Sequence, residues 1–353
     1  MKVHQVKRLV KEWVLANGIN EPGYVGSYLV GSINRFASDA DFPLYRDVDV
    51  TLAINDPNKT LLPQARHNFK RNHEYLYQGI MLEVGFRDFD GLRDPQGILT
   101  NPGRAPNFTV NNILTDPTEA LTASQLIVAR EYARRKWVEI RIADEKEVIG
   151  EMLKSLAASS DAPSPSHVVG IAHRFSGLLA VAYLEFPTAR RCLVQLREML
   201  FRANRLDLHE RILKFTGYAN FSQNQVEAFL KQAVSAFDIA VETKRSEKGS
   251  YKIHQHLRPY FLEGTREIID DGFYQEAIYW INACFRTALS GIQHDGTEAD
   301  KQRFEAQYAD FKRMLGFDDP EECQHRTDDI RHIAQEIFAL ADEVVATNPQ
   351  IFD

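Results

Sequence analysis

Cysteine is scarce in this chain of 353 residues, occurring only as Cys192, Cys284 and Cys323. The three are odd in number, far apart and without C-x-x-C spacing. That argues against a disulfide framework or a cysteine zinc site and fits a reducing, cytoplasmic setting. Long apolar runs are also missing. The best stretch, Leu178 to Phe186, stops at Pro187, well short of the ~18–20 residues that span a bilayer, so no membrane segment is expected. Met1 to Asn17 has no apolar h-region, and no signal peptide is expected. There is no basic excess: 42 Lys and Arg against 49 Asp and Glu leave a net charge of −7. Such a balance disfavours a protein built to coat nucleic acid. Internal repeats, a P-loop G-x-x-x-x-G-K-[ST] and a G-x-S-x-G elbow are absent. His254, His256 and His332 lack metal-ligand spacing, and His173 on an apolar helical stretch reads as core.

What is there is ordinary globular material, 44% hydrophobic and 26% charged. At ~100–200 residues per domain the length suggests two domains. The texture changes near Thr115. Before it, short β-type runs alternate with Gly, Pro and Asn; after it, helical periodicity dominates. A helix is expected over His4 to Asn17, with Val6, Val10, Trp13 and Val14 on one face and Gly18 as its stop. Strands are expected over 24–30, 47–54 and 79–86, and a fourth within 107–114, with a helix from Leu61 to Tyr77. Asp116-Pro117-Thr118-Glu119 reads as a helix start, Asp116 capping and Glu119 closing a capping box. Residues 158–166 read as a loop, followed by several amphipathic helices. The expected fold class is therefore α+β: a mixed sheet with helices in an N-terminal domain (1–115), then a C-terminal helical bundle domain (116–353).

The chemistry is concentrated early. The strand Tyr28-Leu29-Val30 ends in Gly31-Ser32, where a bare backbone and a hydroxyl at a turn suit phosphate binding. Asp47 and Asp49 are two apart on the next strand, so both point to one face. Paired carboxylates repel unless a cation lies between them, and magnesium, a hard oxygen-liganded ion, is the natural choice. Glu83 lies among Leu82, Val84 and Phe86, where a carboxylate is costly unless it meets a polar cleft or a metal. An ion pair of Glu83 with Arg87 or Lys70 is the alternative for that residue. Arg66, His67, Lys70, Arg71 and His73 cluster on the expected 61–77 helix and read first as a solvated face, with contact to phosphates or a negatively charged acceptor as the alternative. Tyr274, Tyr279, Trp280 and Phe285 read as core aromatics, with the lining of an acceptor pocket as the alternative.

The order Tyr28-Leu29-Val30-Gly31-Ser32, Asp47-Val48-Asp49, then Glu83 resembles the nucleotidyltransferase superfamily that includes DNA polymerase beta and the antibiotic nucleotidyltransferases. Arg35 falls where many members carry an arginine, and Ile113-Leu114-Thr115-Asp116-Pro117 resembles the strand before their later helices. The resemblance covers roughly residues 24–117. Fourteen residues separate Ser32 from Asp47, more than the compact family spacer. Gly26-Ser27 with Asp39-Ala40-Asp41, eleven residues apart, offers a competing register. That later pair runs into Phe42-Pro43, a poor central strand, whereas Val48, Val50 and Leu52 support a strand around Asp47 and Asp49.

The resemblance implies a nucleotidyltransferase-type N-terminal fold and a magnesium-dependent transferase. It moves a nucleoside monophosphate from an NTP, ATP first among the four, to an acceptor hydroxyl and releases pyrophosphate. Gly31, Ser32 and Arg35 would meet the nucleotide. Asp47, Asp49 and Glu83 would hold the metal, Glu83 as third ligand or as general base. The acceptor class implied is a small molecule such as an aminoglycoside- or lincosamide-type antibiotic. The alternatives are a toxin or regulator modifying tRNA or protein, against which the acidic net charge weighs, and a non-catalytic nucleotide-binding relative. The long helical part leaves surface for a homodimer.

Overall fold

The computed structural model describes residues 1–72, 76–158, 165–246, 250–317 and 320–353. The chain is α+β, as expected: one five-stranded mixed sheet in the N-terminal region, followed by helices. It divides into two compact units. One comprises Met1–Arg141, Leu184–Phe186 and Pro349–Asp353; the other comprises Ile142–Tyr183 and Pro187–Asn348.

In the first unit, α1 (Val3–Ala16) precedes β1 (Tyr24–Val30) and β2 (Asp47–Ile54). Then come α2 (Leu61–Asn72), β3 (Leu76–Tyr77), β4 (Ile80–Asp88), α3 (Pro95–Leu99) and β5 (Ile113–Thr115). The sheet order is β3-β4-β2-β1-β5. β2 and β4 are parallel, with Asp49 opposite Glu83; β1 runs antiparallel to both β2 and β5. α1 buries Val6, Val10, Trp13 and Val14 against Val48, Val50, Leu52 and Ile54 of β2 and Leu82, Val84 and Phe86 of β4. Those strand residues alternate in sequence, as a period of two requires.

Three sequence expectations are corrected here. The helix from Leu61 ends at Asn72 rather than Tyr77; His73 lies outside the described residues, and Leu76 and Tyr77 pair with Met81 and Ile80. The turn between them is Gln78-Gly79, with φ of 49° and 80°. Two successive left-handed residues make the type I′ hairpin turn, whose twist matches that of the strands. The fourth strand is only Ile113–Thr115, because Ala105–Phe108 forms a 3-10 turn and Asn112 is tied to the Leu29 and Asn107 carbonyls. The helix after Asp116 is α4 (Ala120–Glu131), and Glu119 is left-handed at φ 59° instead of closing a box. Asp116 still caps from further upstream: its carboxylate accepts the backbone N–H and the hydroxyl of Thr122, both at 2.8 Å.

The division between units falls inside α5 (Arg135–Ala158) rather than at 115/116. Leu121 and Val128 of α4 are part of a buried cluster with Tyr28, Phe89, Leu92, Leu99 and Phe108. Removing α4 would expose that cluster, so the apolar packing carries the first unit past residue 115. Arg141, fully buried, donates to the Leu99 carbonyl and the Tyr132 carbonyl, each at 2.8 Å.

The second unit holds the rest of α5 and α6 (Pro165–Ala182), α7 (Cys192–Arg202), α8 (Leu206–Thr216), α9 (Gln223–Thr243), α10 (Arg258–Asp270), α11 (Tyr274–Asp295), α12 (Glu298–Met314) and α13 (Pro320–Thr347). Most of the expected 158–166 loop lies outside the described residues; Pro165 and Ser166 already belong to α6. α9 packs most extensively on α11. Phe285 is buried, as expected, and Trp280 stacks on Phe261 at 5.9 Å. No helix among the described residues is long and apolar enough to cross a membrane.

Candidate metal centre

The face of the sheet opposite α1 carries the polar members of the same strands. On β2 these are Asp47, Asp49 and Thr51; on β4 they are Glu83, Gly85 and Arg87; on β1 Val30 lies opposite Asp49. Parallel pairing sets Glu83 directly beside Asp49, and the two-residue repeat sets Asp47 one pleat away on the same face. One carboxylate oxygen from each of Asp47, Asp49 and Glu83 lies within 4.8 Å of the others. Asp47 is buried, and Asp49 and Glu83 are half-buried. Like charges this close disfavour one another's ionised form. A hard divalent cation would offset like charge here, and carboxylate oxygens are donors that such an ion takes. Among the described residues, this is the one group of three or more such side chains close enough to hold a metal.

Gly31 explains how the third element fits. Its φ is +73°, and a Cβ placed there would lie 2.2 Å from Asp49 Oδ2. The glycine is therefore required twice, by its backbone angle and by the carboxylate packed over it. Its N–H donates to Asn107 Oδ1 at 3.1 Å, so this amide is already engaged. The 3-10 turn Gly31–Arg35 is held by Asn34, whose amide donates to the Leu29 carbonyl at 3.1 Å. Ser32 is half-buried, and Arg35 is exposed at the end of the turn.

The competing aspartates are elsewhere. Asp39 and Asp41 are exposed, and Asp41 forms an ion pair with Lys2 at 3.0 Å beside the start of α1. Of the basic cluster on α2, Arg66, His67 and Lys70 are exposed; the Arg71 side chain and His73 lie outside the described residues. Sequence reasoning passed over Asn107, whose Oδ1 accepts the Gly31 N–H. Asn107 was read only as the start of a strand. Arg46, next to Asp47, lies over the Phe36 ring at 5.2 Å.

No family model matches the chain, and no curated protein is similar to it.

Proposed function

We propose that the chain is a magnesium-dependent nucleotidyltransferase, with Asp47, Asp49 and Glu83 as its metal ligands. The observation that carries the reading is the convergence of three carboxylates from two parallel strands beside a Gly-Ser turn that only glycine can make. Bound magnesium would offset the charge that builds on the triphosphate during an in-line displacement. The chain's own residues do the rest. The Gly31-Ser32 turn keeps the floor of the site free of a side chain at its first position, and Ser32 offers a hydroxyl to a phosphate oxygen. Asp47 and Asp49 are fixed by the β2 backbone and need little ordering on binding. Glu83 either completes the ligand set or takes the acceptor's proton. In the balanced reaction, an acceptor oxygen bonds to the α-phosphorus and the bond to the bridging oxygen breaks. The hydroxyl proton passes to a base, and pyrophosphate departs. The resemblance to antibiotic nucleotidyltransferases supports a small-molecule hydroxyl as acceptor.

The test is pyrophosphate release with magnesium, each of the four nucleoside triphosphates and a panel of hydroxyl-bearing acceptors. Release that depends on an acceptor and vanishes in the Asp47→Asn, Asp49→Asn double variant is expected. An Asp39→Asn, Asp41→Asn variant should retain it. The reverse pattern, with the Asp39 pair essential and the Asp47 pair dispensable, would sink the assignment of the site.

A further inference from the structure

A cavity of about 580 Å³ opens on the same sheet face as the three carboxylates. Tyr28 and Thr51, partners across β1 and β2, form its floor. Three guanidinium groups reach it from three separate elements: Arg66 from α2, Arg87 from the end of β4, and Arg104 from the loop after α3. Arg66 and Arg87 both donate to the Phe86 carbonyl, at 3.1 and 3.3 Å. That carbonyl lies on β4 beyond the stretch that the short strand β3 pairs. Arg104 donates to the Gly91 carbonyl at 3.4 Å, and its backbone N–H is fixed by Asn101 Oδ1 at 2.9 Å. All three bind carbonyl oxygens, and among the described residues none forms an ion pair with a carboxylate. The one acidic lining residue, Asp88, is paired with Lys59. Asn107 joins the two places: its Oδ1 takes the Gly31 N–H at 3.1 Å, and its amide donates to the Gly103 carbonyl of the cavity wall at 3.2 Å.

Three uncompensated guanidiniums around a space of small-molecule size select an oxyanion, since the planar fork matches phosphate and carboxylate. The triphosphate does not account for them. Its phosphates belong at the carboxylates, whereas Thr51 lies two residues and Arg87 four residues further along their strands, roughly 7 and 13 Å at ~3.3 Å per residue. An uncharged nucleobase does not account for them either. The geometry points to an acidic acceptor: a small molecule that presents a hydroxyl at Asp47, Asp49 and Glu83 and anchors a phosphate or carboxylate group on Arg66, Arg87 and Arg104. The acceptor role rests on the nucleotidyltransferase reading; oxyanion binding in the cavity does not. A polycationic antibiotic is the wrong charge for this cavity.

The test uses the full chain without divalent metal, in EDTA, and follows the unfolding temperature against added glycerol 3-phosphate, glycerate or glycerol. A ligand that binds only the folded state raises that temperature with concentration. Glycerol 3-phosphate is expected to do so and glycerol not. The apparent affinity should fall at least about tenfold in an Arg87→Gln, Arg104→Gln variant, as the loss of charged hydrogen bonds implies. It should persist in the Asp47→Asn, Asp49→Asn variant. Glycerate matching glycerol 3-phosphate would identify a carboxylate anchor; a preference for glycerol 3-phosphate would identify a phosphate anchor. Equal affinity in the arginine variant, or an equal response to glycerol, overturns the proposal. So does a short RNA that binds through these arginines where the small oxyanions do not, because the acceptor would then be nucleic acid. Arginine-dependent oxyanion binding without metal-dependent pyrophosphate release would instead count against the transferase reading and leave the cavity intact.

Discussion

The two faces of the five-stranded sheet are built from the same strands and share almost nothing else. On one face Leu29, Val48, Val50, Leu52, Ile54, Leu82, Val84 and Phe86 are buried under α1 and α2. On the other, one residue out of phase, are Asp47, Asp49, Thr51, Glu83 and Arg87. The period of two that makes the first face a core makes the second a place where charge can gather without spoiling it. The apolar face holds the strands in register, and that register brings Asp49 beside Glu83. The order of the strands rests on the apolar burial of the opposite face.

That division of labour can be broken one face at a time. The largest expected effect is Asp49→Asn, which should lower turnover at least about a thousandfold if the metal carries several kcal/mol of transition-state stabilisation. Its thermal unfolding should change far less than that of a core truncation, since the apolar burial that holds β2 lies on the other face. Leu52→Ala, on the opposite face, should do the reverse. It should cost about 2–5 kcal/mol in denaturant unfolding, while magnesium affinity per folded molecule, read by calorimetry, stays the same. If Leu52→Ala weakened metal binding in the folded protein, the faces would not be separable.

The second unit provides the contrasting case of polar groups inside an apolar core. His209 and Glu276 are buried there, with Nε2 3.5 Å from Oε1. Burial, helped by Arg197, pushes the His209 imidazole down from 6.5 to about 4, and burial raises the Glu276 carboxyl. Both are driven towards their neutral forms, so the contact is not a strong ion pair. The sign for His209 follows. Above pH 6.5 the ring is neutral folded or unfolded, and stability is full. Between about 6.5 and 4 the unfolded chain takes a proton that the folded chain refuses, and up to about 3 kcal/mol is lost. Glu276 slopes the opposite way, so the measurement is the difference between wild type and His209→Gln across that window. The variant should lose less stability on acidification; parallel curves would show that His209 titrates alike in both states.

The smallest effect tests the join between the faces. Gly31→Ala places a Cβ on Asp49 Oδ2 and forces an alanine to φ +73°. It should cost about 1–2 kcal/mol of stability and weaken magnesium binding at least severalfold, because the carboxylate must move. An alanine variant with wild-type metal affinity would show that the Asp49 pose does not depend on this turn.

Much of the first unit was legible in its residues. β1 and β2 match their expected spans, and α1 and β4 differ by a residue or two, because alternation and the 3.6 repeat are local patterns. The three carboxylates were legible too, since spacing puts Asp47 and Asp49 on one face whatever the fold. The failures came where a local signal had two readings. Leu76 and Tyr77 read as the end of a helix and instead pair as a strand with Met81 and Ile80. Asp116 looked like a cap next to its helix and caps from a turn further back. The boundary at 115 followed a change of texture, whereas Leu121 and Val128 pack with the sheet's own cluster.

The sequence by itself determined β1, β2 and most of β4, the face each of their residues takes and the candidate ligands, since backbone sterics and side-chain alternation act over a few residues. Only the tertiary structure decided the rest. Glu83 meets Asp49 because β2 and β4 pair in parallel in one register out of many. Gly31 underlies Asp49 because two strands bring them together. Three arginines from a helix, a strand end and a loop share one cavity because chain segments up to 38 residues apart, from Arg66 to Arg104, converge on it. Such convergence is set by the burial of the whole core, a sum over many residues that no short pattern contains.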